Sequence, residues 1–191
     1  KVIRKSKDPP VPIGIEYKWN SSGVDYISVA GVNKEKLLLH FANTLNIKGL
    51  STKLVSKLYE SGITIPEQLI TINYEQLVKM PSIKEKSANN ILNAIQVAIL
   101  GLNAERLAVA LNCFGRNFGE TRLKFITSTI SFDDLFASNK PDDIYKLVKN
   151  LDGFSDKLAS RFIDGLMIFR NTLNDSPILK QQSKLNCVHH R

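Results

Sequence analysis

LDGFSDKLASRF, residues 151–162, places a glycine, a large apolar residue and a serine directly before a short basic helix. The stretch has three counterparts. Aligned on Gly49, Ser82, Asn117 and Gly153, the segments IKGLSTKLVSKL (47–58), PSIKEKSANNIL (81–92), RNFGETRLKFIT (116–127) and DGFSDKLASRFI (152–163) follow one pattern, with starts 33, 35 and 36 residues apart. In each, a small or turn-forming residue comes first and an apolar residue follows: Leu50, Ile83, Phe118 and Phe154. Six and nine places after the first slot stand Val55 and Leu58, Ala88 and Ile91, Leu123 and Ile126, Ala159 and Phe162. Spaced i, i+3, each pair lies on one helical face. These faces are expected to be core, and the apolar residue of each turn, Phe154 included, to plug it. A fourfold period of this length is one supersecondary unit repeated.

The turn itself carries chemistry. Residues such as Gly, Asn and Ser permit positive φ and close backbone approach, and they deliver the chain to a helix N-terminus with several free N–H groups. Those groups, with the positive end of the helix dipole, suit a phosphate oxygen. Four places into the pattern come Lys53, Lys86, Thr121 and Lys157, near the helix start and off the buried stripe. Four such turns would touch successive backbone phosphates and read shape rather than sequence. The plainer reading is that small–apolar–small merely closes a helical hairpin. A thirty-odd-residue period of helix pairs also describes solenoids that bind proteins.

Composition leans toward the polyanion. Lys and Arg number 26 against 18 Asp and Glu, giving a net charge of +8 and a pI near 9.5, and such a surplus favours polyanionic partners. Cys113 and Cys187 form no CxxC pattern, so neither a disulfide framework nor a structural zinc site is expected. His40, alone in LLLHFANTL, reads as a satisfied packing residue; His189 and His190 belong to a polar tail. No apolar run approaches the ~20 residues of a membrane span, and KVIRKSKDPP lacks the apolar stretch of a signal peptide. A soluble, intracellular, monomeric protein is the expectation.

Along the chain, residues 1–32 read as strand and loop: KVIRK, a proline-broken linker, then IEYKW and VDYISVA as arms of a β-hairpin around NSSG. Trp19, Tyr17 and Tyr26 are expected to pack rather than to stack on bases. Residues 33–175 are helical throughout, with Pro66, Pro141 and Pro177 at plausible helix starts, and 176–191 form a further helix or tail. The fold class expected is mainly α: a tandem bundle of four helical hairpins preceded by a small β-hairpin.

The pattern resembles the helix-hairpin-helix motif, apolar–Gly–apolar–Gly ahead of a helix. With their flanks, HFANTLNIKGLSTKLVSKLYESGI, LITINYEQLVKMPSIKEKSANNILNAI, ERLAVALNCFGRNFGETRLKFI and LVKNLDGFSDKLASRFIDGL resemble, in order and spacing, the C-terminal part of NAD-dependent DNA ligases across residues 36–173. KVIRKS resembles the last strand of the oligonucleotide-binding barrel that precedes this region. Such ligases carry a four-cysteine zinc finger next; here IEYKWNSSGVDYISVAG has no cysteine, so a metal-free hairpin is expected and zinc is not.

The resemblance implies that the whole enzyme uses NAD to adenylate itself and then a 5′-phosphate, while these helices hold nicked double-stranded DNA. No cofactor is expected to bind this stretch. The residues it points to are Gly49, Ser51, Lys53, Lys84, Lys86, Arg116, Gly119, Thr121, Gly153, Ser155 and Lys157. The second glycine slot holds Ser51, Lys84, Gly119 and Ser155, so only the third repeat keeps glycine there, and the second repeat has lost both. Glycine content ranks the third and fourth repeats first, then the first, then the second. No catalytic residue is expected: the AMP-accepting lysine of the family sits in KxDG, and KNLDG (149–153) is one residue too long. SPILKQQSKLNCVHHR (176–191) is too short for the BRCT domain that follows the repeats in the family. A helix-hairpin-helix module of another repair or recombination protein, and a helical protein-binding scaffold, remain the alternatives.

Overall fold

A computed structural model describes residues 17–19, 26–28, 34–138 and 140–185. The chain divides into two compact units, residues 1–33 and 34–191. In the first, β1 (Tyr17–Trp19) and β2 (Tyr26–Ser28) pair antiparallel, with Tyr17 opposite Ser28, Lys18 opposite Ile27 and Trp19 opposite Tyr26. The strand expected at KVIRK and the NSSG turn lie outside the described residues. So do the surroundings of the Tyr17, Trp19 and Tyr26 side chains, and Cys187, His189 and His190.

The second unit is helical among its described residues. Its elements are α1 (Lys34–Thr44), α2 (Thr52–Glu60), α3 (Pro66–Ile70), α4 (Tyr74–Val78), α5 (Glu85–Leu100), α6 (Ala104–Ala110), α7 (Glu120–Thr127), α8 (Phe132–Ala137), α9 (Pro141–Lys149), α10 (Asp156–Asp175) and α11 (Pro177–Ser183). Pro66, Pro141 and Pro177 each open a helix, where the missing N–H costs nothing. Asn73 and Gln76 close a capping box on α4, and Asn103 and Ser131 cap α6 and α8. Left-handed residues follow α1, α2 and α6, and Lys184, at φ 58°, ends α11. Asn46, Gly62 and Asn112 have φ of 52°, 100° and 55°, and the chain then bonds back as Ile47 N–H to Ala42 O, Ile63 N–H to Leu58 O and Cys113 N–H to Ala108 O, at 3.1, 2.9 and 3.1 Å.

Helices this short are stable only through packing. α1 packs on α2 and α6, α3 and α4 on α5, α6 on α7 and α11, and α10 on α9 and α11. All eight residues of the expected apolar faces, from Val55 and Leu58 to Ala159 and Phe162, are buried in one continuous core. At roughly 1.5–3 kcal/mol for a large side chain, these contacts outweigh any intrinsic helix preference. Side-chain bonds add ties between helices: the Ser56 hydroxyl donates to the Glu35 carboxylate, and Thr127 Oγ1 donates to Glu105 Oε1 at 2.6 Å. His40 is half-buried, its Nε2 2.8 Å from the Val109 carbonyl oxygen, so it serves packing between α1 and α6. α11 buries Leu179 and Ser183 against the bundle, which makes residues 177–183 part of the same compact unit as α1–α10. None of the described helices is long and apolar enough to cross a membrane.

Candidate nucleic-acid interface

The aligned segments fold into turns between packed helices: α1–α2, α4–α5, α6–α7 and α9–α10, here called hairpins one to four. The second slot of the pattern is the N-cap every time. Ser51, Lys84, Gly119 and Ser155 all have extended backbone, with φ/ψ of −72/160, −92/164, −86/172 and −97/165. The first slot is less uniform. Gly49, Asn117 and Gly153 are left-handed, at φ 89°, 79° and 79°; Ser82 is not.

Hydrogen bonds explain the difference. Leu50 N–H donates to Ile47 O at 3.3 Å and Phe154 N–H to Leu151 O at 3.1 Å, closing turns whose third residue has positive φ, the type II signature. Ile83 N–H donates to Met80 O at 3.0 Å around Pro81 and Ser82 without a positive φ, as in a type I turn. Both types accept proline at the second position, but their central peptide planes are flipped. The Ser82 amide therefore points away from the direction taken by those of Gly49 and Gly153.

Every residue singled out in the sequence is exposed: Gly49, Ser51 and Lys53 in the first hairpin, Lys84 and Lys86 in the second, Arg116, Gly119 and Thr121 in the third, Gly153, Ser155 and Lys157 in the fourth. Ser51 and Ser155 accept from the amides of Leu54 and Leu158, each at 3.3 Å. That cap fixes the helix start and leaves the hydroxyl hydrogen to donate outward. Lys84 and Gly119 provide no side-chain cap.

The apolar slot behaves as a plug in three hairpins, where Leu50, Ile83 and Phe118 are buried. Phe154 departs from the expectation and is only half-buried. Phe114, Phe118 and Phe162 already fill the space beneath it, with Phe114 and Phe162 stacked at 5.2 Å and Phe118 and Phe162 6.0 Å apart. Displaced outward, the Phe154 ring stacks at 6.3 Å and 11° on Phe125, which is 47% exposed, and the Arg122 guanidinium lies 5.8 Å from its centroid.

The hairpins associate in twos. A Cβ on Gly49 would touch Ile91 at 3.4 Å, so the first turn rests on the helix of the second hairpin. Between them lies a concavity of about 350 Å³ whose polar lining includes Ser51, Lys53, Lys57, Ser82, Ser87 and Asn90. In the other pair, Arg161 Nη1 of the fourth hairpin donates to Arg116 O at 3.3 Å and so ties it to the third turn, while Arg122 Nη1 donates to Asn117 O within that third turn.

Charge differs between the pairs as well. α5, α7 and α10 each carry an acid in the first turn, Glu85, Glu120 and Asp156; α2 carries none. Lys124 Nζ lies 2.7 Å from Glu120, and that hydrogen bond lowers the Glu120 carboxyl below the usual range. Lys149 Nζ lies 2.6 Å from Asp156 Oδ1, which also accepts from the Tyr145 hydroxyl at 2.7 Å. The lysine first, then the tyrosine, lowers the Asp156 carboxyl, while Lys149 and Tyr145 are both raised by it. Lys53, Lys57, Lys84, Lys86 and Lys157 form no ion pair with a described residue. Burial pushes the Cys113 thiol up to about 12, which leaves it unreactive. Among the described residues no three His, Cys, Asp or Glu converge as a metal site would require.

Three members of this surface escaped the sequence reading: Lys57, Asn90 and Phe125. They share one signal with Arg161, because all four stand eight places after the first slot.

Residues 41–96, which span the first two turns, match the family of SAM-like helix-hairpin-helix tandems. Over 175 residues, 88% of this chain, the sequence is 26% identical to a DNA ligase of Acanthamoeba polyphaga mimivirus, covering 27% of that protein. It is 30% identical over 139 residues to a DNA ligase of Campylobacter concisus, and 33% identical over 138 residues to one of Caldicellulosiruptor bescii. Those matches take in 71% and 67% of this chain and 20% of each relative. The chain thus spans 20–27% of the length of these curated relatives. Through most of its length it is homologous to a segment of DNA ligases, and its residues 41–96 form a helix-hairpin-helix tandem.

Proposed function

We propose that this chain is the DNA-holding, C-terminal part of an NAD-dependent DNA ligase, with all four hairpins acting as helix-hairpin-helix units that grip duplex backbone around a nick regardless of sequence. The observation that carries this reading is the recurrence of one exposed geometry. An extended N-cap, free first-turn amides and an exposed polar or cationic side chain two residues on stand at Ser51, Lys84, Gly119 and Ser155. Each is a ready site for a phosphate oxygen, and contacts to phosphate position a protein on DNA without reading bases.

NAD and adenylation belong, in this proposal, to the rest of the enzyme. None of the described lysines is buried, and Lys124 and Lys149 are paired with Glu120 and Asp156. An AMP-accepting lysine needs instead an activating enclosure. The β1–β2 pair would stand where relatives have a zinc finger, and the protein would act as an intracellular monomer.

First-turn acids change the order of importance drawn from glycine content. An acid at that position stabilises its helix but competes with a phosphate for the same positive end. The first hairpin, free of such an acid and flanked by Lys53 and Lys57, becomes the strongest grip. The second, with its flipped peptide and Glu85, stays last.

Titration with a nicked duplex tests the reading. If ~4 to 6 phosphates are neutralised, log K falls against log salt with a slope of roughly −4 to −5. A slope near zero overturns it. Tighter binding to nicked than to intact duplex separates a ligase part from a module of another repair protein.

A further inference from the structure

The slot eight places into the pattern holds Lys57, Asn90, Phe125 and Arg161. In the first pair Lys57 and Asn90 line the polar concavity between the hairpins. In the second pair the same slot carries Phe125, a half-exposed ring stacked on Phe154 of the neighbouring turn, over which the Arg122 guanidinium lies. An isolated surface phenylalanine needs no explanation. This one is stacked on Phe154, itself held by the Arg122 guanidinium, and stays 47% exposed in the slot that Lys57 and Asn90 occupy in the first pair.

We propose that Phe125, backed by Phe154 and Arg122, is an aromatic wedge that the second hairpin pair presses against the base step interrupted at a nick. The proposal rests on the DNA reading above and adds to it the source of nick preference. Three features select nucleic acid as the occupant. Phe125 lies one helical turn from Thr121 on the same face of α7, Phe154 directly precedes the Ser155 N-cap, and Arg122 sets a positive charge over the Phe154 ring that backs Phe125. Apolar side chains that enter a duplex do so by unstacking a base step, and the cost of unstacking depends on how easily that step deforms. A step whose phosphodiester is broken deforms more easily than an intact one. An aromatic wedge therefore gains more from nicked than from intact duplex, whereas a phosphate contact gains about equally from both.

The test compares the whole chain with F125A and F125W on one duplex sequence, nicked and intact, with 2-aminopurine beside the nick. The wild-type chain is expected to prefer the nicked duplex and to raise the 2-aminopurine fluorescence as the base unstacks. F125A should lose roughly tenfold on the nicked duplex, as expected for one base–aromatic contact, and about twofold or less on the intact one. Its salt slope should not change, and F125W should restore both signals. Because the ring is already half in solvent, F125A is expected to melt like the wild type. Nick preference absent from the wild type, or unchanged in F125A, overturns the wedge and leaves the backbone grip standing. A wild-type chain that binds neither duplex overturns the DNA reading and the wedge together.

Discussion

The first and second hairpin pairs share a backbone plan and present different surfaces. At the buried slots they agree: Val55, Leu58, Ala88 and Ile91 in one, Leu123, Ile126, Ala159 and Phe162 in the other, all sealed from solvent. At the exposed slots they part. The first pair sets Lys53 and Lys57, which form no ion pair with a described residue, along a polar concavity. The second shows carboxylates paired with lysines, and a ring stack where the concavity would be. Burial constrains a slot to an apolar residue of suitable size, whereas an exposed slot is free to change chemistry at little cost in stability. One scaffold thus presents a lysine-lined concavity in the first pair and a ring stack in the second.

The largest expected effect probes how differently the core is packed beneath the two pairs. Gly165 in α10 lies so close to Phe114 that a Cβ there would come within 2.3 Å of its Cδ1 and 2.9 Å of its Cα. The side chain has some freedom to swing, but the backbone atom has little. G165A is expected to destabilise by about 2–3 kcal/mol, even after the ~1 kcal/mol that alanine returns in helix preference. In the first pair the nearest equivalent is Gly49, where a Cβ would find Ile91 at an ordinary 3.4 Å and the penalty is only that of positive φ. G49A should cost about 1–2 kcal/mol. Urea denaturation ranks them. A G165A chain as stable as the wild type would mean that α10 does not approach Phe114 this closely.

Charge reversal comes next. K53E removes an unopposed cation beside the acid-free start of α2, while K157E removes one that already shares its turn with Asp156. On a duplex at low salt, K53E is expected to weaken binding about tenfold and to flatten the salt slope by about one. K157E should weaken it about threefold. Equal losses would show that the first-turn acids do not set the order of the hairpins. No loss from either would favour a protein-binding scaffold.

Much of this was legible because the repeat makes the sequence its own reference. Alignment on four slots identified the apolar faces, the turns before the helices and the residues off the buried stripe, since each depends on local spacing along a helix. What escaped depends on neighbours distant in sequence. Phe154 carries the same apolar signature as Phe118, yet it lies outside Phe118, 6.4 Å away, because Phe114, Phe118 and Phe162 already pack together in the core. Gly165 reads as an ordinary weak spot in a helix until α10 is laid against Phe114. The flipped Ser82 peptide depends on which of two turns Pro81 adopts, and proline suits both. Lys57, Asn90 and Phe125 stood in register all along, and their slot lacked meaning until the hairpins were seen to pair.

The smallest expected effect isolates the fourth hairpin's self-neutralisation. D156N removes the negative charge from the first turn of α10 and releases Lys149. Affinity for duplex should rise about two- to threefold at neutral pH, with the salt slope steepening by up to about one. The pH dependence gives the sign independently. Lys149 and Tyr145 hold the Asp156 carboxyl below its ordinary value, so the pair is intact at neutral pH. Its contribution to stability is present above the unfolded-state carboxylate range and is lost as pH falls through the lowered folded value. Protonation there does what the substitution does. The affinity gap between wild type and D156N should therefore stay constant through the weakly acidic range and close only beneath the ordinary aspartate range. A gap that closes well above the aspartate range would place the effect elsewhere than at Asp156. A gap that never opens would mean that the fourth turn, acid or no acid, contributes no charge to holding the duplex.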